Sequence, residues 1–101
     1  MSHIKILILL AGILSLTNPA AFAQGAGIEW DMLNKEGMRL YQAGDYKRAT
    51  VIAEKALNVA EENVGPDHPD VATSLNNLAE LYRAQGEYAK AEPLYTRSLA
   101  I

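Results

Sequence analysis

Gly44-Asp45-Tyr46-Lys47-Arg48-Ala49 returns 42 positions later as Gly86-Glu87-Tyr88-Ala89-Lys90-Ala91. The same offset superposes Leu33 on Leu75, Asn34 on Asn76, Gly37 on Ala79, Leu40 on Tyr82, Leu57 on Leu99 and Val59 on Ile101. Chance matches a few apolar positions. It does not match a glycine–acid–tyrosine turn together with small residues at fixed distances on both sides, so the chain contains an internal repeat.

Each unit reads as two helices. Leu33, Gly37 and Leu40 are spaced four and three apart, as are Leu75, Ala79 and Tyr82, which puts each set on one helical face. Leu78 and Leu81 widen that face in the second copy. Gly44 and Gly86 stand where a helix ends and can take a left-handed cap. Asp45 and Glu87 follow at the start of the next helix, where negative charge is favourable. The second helices carry Ala49, Ala53, Ala56 and Leu57 in one unit and Ala91, Tyr95, Ser98 and Leu99 in the other. Small residues at Gly37, Ala49, Ala79 and Ala91 let paired helices approach closely. The expected fold is therefore all-α, two helical hairpins forming a segment of an α-solenoid.

The pattern Leu75-x-x-Leu78-Ala79-x-x-Tyr82-x-x-x-Gly86-x-Tyr88-x-x-Ala91-x-x-x-Tyr95-x-x-Ser98-Leu99 resembles a tetratricopeptide repeat. That family repeats every 34 or so residues, and the period here is longer. The loop Gly65-Pro66-Asp67-His68-Pro69-Asp70-Val71-Ala72, with Ser74-Leu75-Asn76-Asn77-Leu78-Ala79 and Ala91-Glu92-Pro93-Leu94-Tyr95, is similar to the kinesin light chain type of repeat. The first repeat spans about residues 30–63 and the second residues 70–101. The first is the more degenerate: Glu36 stands where Leu78 does, and Ala53 where Tyr95 does. Pro93 falls inside the last helix, where proline usually costs about 3 kcal/mol. Ile101 leaves an apolar end without a polar capping helix, and solenoids normally need about three repeats, so two should be marginal alone.

Ahead of the repeats lies a different kind of segment. His3 and Lys5 lead into a run of apolar residues over 6–16, then Thr17-Asn18-Pro19 and Ala20-Ala21-Phe22-Ala23-Gln24. A basic start, an apolar stretch and small residues at Ala21 and Ala23 form the pattern of a secretory signal peptide over residues 1–23, with cleavage expected between Ala23 and Gln24. Residues 24–101 then form the repeat region. A membrane anchor needs roughly 20 apolar residues, and Asn18-Pro19 interrupts the run before that. The sequence has no cysteine, so there is no lipid attachment through one and no disulfide. Removing residues 1–23 takes away Lys5 and no acid, moving the net charge from −3 to −4. The acids are dispersed and no basic stripe exists, so no nucleic-acid partner is indicated. The expected destination is the periplasm or the exterior of a bacterial cell, with no membrane association after cleavage.

Motifs of chemistry are sparse. His68-Pro69-Asp70 reproduces the tripeptide of J-domain co-chaperones, but there it follows a basic helix, and here Ala60-Glu61-Glu62-Asn63 is acidic. A structural role suffices: Pro69 fits a first helical turn, and Asp67 or His68 can stand at its N-cap. As a metal ligand His68 has no second histidine after residue 23 to complete a site. Phosphate loops, nucleophile elbows and partnered carboxylate pairs are also missing, so neither an enzyme nor a bound cofactor is expected.

What remains is binding. In tetratricopeptide arrays the first helix of each hairpin lines a concave groove for a partner peptide. By resemblance this points to Asn34, Met38 and Tyr41 in the first unit and to Asn76, Asn77, Glu80 and Arg83 in the second. An asparagine amide offers donors and an acceptor to a peptide backbone, and Arg83 could hold a carboxylate. Every surface helix also carries a solvated polar face, and Glu80 could simply pair with Arg83 along its own helix. The implied function is a protein–protein interaction or scaffold module for a peptide or helix, able to associate with itself through the Ile101 end. The alternative is a fragment of a longer repeat protein.

Overall fold

The computed structural model describes residues 19–101. Four helices follow in order: α1 (Pro19–Gln42), α2 (Tyr46–Val64), α3 (Pro69–Ala84) and α4 (Tyr88–Ala100). The described residues form no strand. Helices α1 and α2 make one hairpin and α3 and α4 the other, and α3 packs on α2 to join them. Helix α1 begins well before residue 30, where the repeat was expected to start, and its first turns include the expected Ala23–Gln24 junction. The apolar run over residues 6–16 lies outside the described residues.

The two hairpin turns repeat atom by atom. Gly44 has φ 78° and Gly86 φ 76°. Asp45 N–H donates to the Leu40 carbonyl at 2.9 Å and Gly44 N–H to Tyr41 at 3.0 Å; Glu87 donates to Tyr82 at 2.8 Å and Gly86 to Arg83 at 3.0 Å. Each is a Schellman cap, which satisfies carbonyls that the helix end would leave free. The acids after them behave differently. Asp45 caps α2 by accepting from Arg48 N–H at 3.3 Å. Glu87, one methylene longer, makes no such bond and pairs with Lys90 at 3.2 Å.

Between the hairpins, Gly65 closes α2 with φ 86°. His68, not Asp67, is the N-cap of α3, its Nδ1 accepting from Asp70 N–H at 3.0 Å with Pro69 in the first turn. Pro93 sits within α4 without ending it. Proline removes the bond to the Ala89 carbonyl, and both residues face solvent, where water can replace it.

The core is one contiguous cluster of Leu40, Ala49, Ala53, Leu57, Ala60, Val71, Leu75, Leu78 and Leu81. Alanines at 49, 53, 56 and 60 recur at spacings of four and three, giving α2 a thin buried edge against which α1 and α3 both close. Hydrogen bonds bind the layers at intervals: Trp30 to Ser74, Gln85 to Thr50 and Ser98 to the Ala72 carbonyl.

Candidate functional site: the groove between α1 and α3

The first helices of the two hairpins, α1 and α3, flank a cavity of about 240 Å3 with α2 behind them. Its walls are Leu33, Asn34, Gly37, Met38 and Tyr41 from α1 and Asn77, Glu80 and Leu81 from α3, with Ala53 of α2 beneath. Spacings of four bring Leu33, Gly37 and Tyr41 onto one flank of α1, with Asn34 and Met38, also four apart, beside them. The Tyr41 ring leans on Tyr46 with centroids 5.3 Å apart, which fixes its orientation.

Five of the seven residues expected in the groove meet there: Asn34, Met38, Tyr41, Asn77 and Glu80. Asn76 and Arg83 do not. Both are exposed outside the cavity. The α3 residue that lines the gap is not Asn76, the repeat match of Asn34, but its neighbour Asn77, whereas Glu80 and its repeat match Met38 both line it.

Asn34 and Asn77 are half-buried, and neither side chain hydrogen-bonds to another described residue. Met38 is 55% exposed at the rim. Glu80 is firmly held: Arg83 Nη2 donates to it at 2.7 Å, and the Tyr95 hydroxyl donates to its other oxygen. Those two hydrogen bonds, Arg83 first, keep the Glu80 carboxyl below its ordinary value against the opposing effect of burial. Burial and the adjacent Glu80 push the Tyr95 phenol upward. Arg83 is thus occupied by Glu80 and is not a free carboxylate clamp.

The floor residues Leu33, Gly37, Ala53 and Leu81 were legible in the sequence as packing positions only. The signal that could have placed them in a groove was the replacement of Tyr95 by Ala53 in the first unit. A second, shallow groove runs along the outer face of α1, past Ile28, Met32 and the Glu36–Arg39 pair. Among the described residues no group of His, Cys, Asp or Glu is placed to hold a metal ion, and no helix is long and apolar enough to cross a membrane. The groove offers neutral amides, apolar side chains and one anchored carboxylate, which suits recognition.

The Tetratricopeptide repeat family model matches residues 31–101. The RxLR effector protein SFI4 of Phytophthora infestans is 32% identical over 81 residues, covering 80% of this chain and 24% of that protein. Human Nephrocystin-3 is 44% identical over 68 residues, 67% of this chain and 5% of that protein. The Secreted RxLR effector protein RXLR-C07 of Plasmopara halstedii is 26% identical over 81 residues, 80% of this chain and 25% of that protein. The chain therefore spans a quarter or less of the length of these relatives. With the atomic repetition of its turns and the match over both hairpins, the chain belongs to the tetratricopeptide repeat family, a non-catalytic fold that mediates protein–protein interactions.

Proposed function

We propose that this chain is an exported interaction module that holds a segment of a partner protein in the groove between α1 and α3. The observation that carries the reading is the presence of two amides, Asn34 and Asn77, without a side-chain hydrogen-bond partner among the described residues, on the walls above an apolar floor. Amides on the two walls can bond a peptide backbone while the floor takes a side chain. Export is supported by the signal-peptide pattern of residues 1–23 and by the secreted relative from Plasmopara halstedii. The residues of the connection between the units and of the helix start after it, Gly65 to Ala72, add a likeness to kinesin light chain repeats.

Two measurements test this. Intact mass of the native protein from the exported fraction should begin at Gln24; recovery only from the cytoplasm with Met1 retained overturns export. Binding to an array of blocked peptides should fall at least tenfold in the Asn34→Ala, Asn77→Ala double variant, and an unchanged profile overturns the groove.

Leu99 favours a second reading. It is 87% exposed, whereas its repeat match Leu57 is 8% exposed beneath α3. In that reading α4 receives a further helix, from a longer array of repeats or from a second copy at the Ile101 end.

A further inference from the structure

The second unit carries its own occupant for the space that the first unit leaves open. Tyr95, half-buried on α4, sends its hydroxyl to the Glu80 carboxylate on α3. Moving back by the repeat offset turns Tyr95 into Ala53 and Glu80 into Met38, and these two residues line the α1–α3 cavity. Where one unit has a phenol ring, the other has a methyl group with about 240 Å3 of open space over it.

We propose that this cavity is an anchor site for a tyrosine side chain presented by a partner segment, its ring lying where a tyrosine at position 53 would lie. The inference rests on the groove reading and names the chemistry of the partner. Leu33, Met38 and Leu81 offer apolar contact to a ring, and the Tyr41 face adds an aromatic wall suited to a tilted ring pair. Glu80 supplies the polar end. Each carboxylate oxygen accepts more than one hydrogen bond, so Glu80 can take a phenol from the groove side while Tyr95 holds it from behind. The flanking backbone of the partner then meets Asn34 and Asn77.

The test uses the full chain and three sets of blocked 12-residue peptides, randomised except for a central tyrosine, leucine or lysine. The tyrosine set should bind at least tenfold tighter than the leucine set, and the Ala53→Tyr variant, which fills the cavity with the repeat's own residue, should lose that binding at least tenfold. Equal binding of the leucine set overturns the tyrosine anchor and leaves the groove reading standing. Failure of all three sets overturns both. Because Ala53→Tyr also loads the core, 4-methylphenol is titrated into the unaltered chain and followed at the Met38 methyl resonance. A saturable shift there is expected, and its absence overturns the anchor site.

Discussion

The indole N–H of Trp30 on α1 donates to the hydroxyl of Ser74 on α3 across 2.8 Å, joining residues 44 apart in the chain. Ser74 is only 1% exposed, and it is the one buried polar side chain among the described residues. This bond ties together the two helices that form the groove, without passing through α2. Removing the acceptor leaves the half-buried indole to find water, so Ser74→Ala should cost about 1 kcal/mol. Trp30→Phe should cost more, since contact area goes with the bond. Trp30 is the sole tryptophan, so its emission reports the α1–α3 contact directly. Urea denaturation of both single variants and the double should show non-additive losses; strict additivity would mean that the two residues are not coupled.

The pair at Gly37 and Gly86 predicts opposite signs for the same substitution. A Cβ at Gly37 would lie 3.7 Å from the Ile52 Cγ2, an ordinary contact, and the backbone there is helical. Gly37→Ala should therefore stabilise by about 0.5–1 kcal/mol, as the equivalent Ala79 already does in the second unit. Gly86 has φ 76°, and alanine there should destabilise by roughly 1–2 kcal/mol even though nothing crowds the site. Thermal midpoints moving in opposite directions check this. A shared direction would contradict it.

These two glycines also show what the sequence could reveal. The turns, the small packing residues and the helix phases all depend on local geometry, so a repeated Gly-acid-Tyr was enough to place them. Candidate groove residues were legible only as far as helix phase goes. Asn76 was matched to Asn34 by repetition, yet only Asn34 lines the gap, while the matched pair Met38 and Glu80 both line it, so repetition alone does not decide which residues meet there. The identity of Asn77, Leu81 and Ala53 as groove walls depends on how α3 settles on α2. That is a tertiary fact, hinted at only by the small side chain where the second repeat has tyrosine.

Glu80 predicts a pH dependence. Its carboxyl is lowered in the folded state by hydrogen bonds from Arg83 and Tyr95, so ionisation there favours folding. That contribution is complete above the ordinary value of 4.5 and is lost as pH falls through the lower, folded-state value. Glu80 and Tyr95 are partly exposed and Arg83 is exposed, so solvent screens the interaction and Glu80→Gln should cost no more than about 1 kcal/mol at neutral pH. Urea midpoints of the two proteins should converge in acid well below pH 4.5. A gap that persists there would assign the effect to packing by Glu80 and not to its charge.

Leu57 and Leu99 are the same residue in the repeat, and only their surroundings differ. Leu57 is 8% exposed within the cluster that α3 closes over α2, while Leu99 is 87% exposed on α4. Truncating a buried leucine removes its transfer energy and leaves a cavity, so Leu57→Ala should cost about 2–5 kcal/mol. The same change at Leu99 should stay within about 0.5 kcal/mol, because little is buried there to lose. Chemical denaturation of both variants at a single low protein concentration makes the comparison. A large loss at Leu99 would mean that α4 is covered in solution by a further helix, and repeating the measurement across protein concentrations would then show whether that helix comes from a second copy.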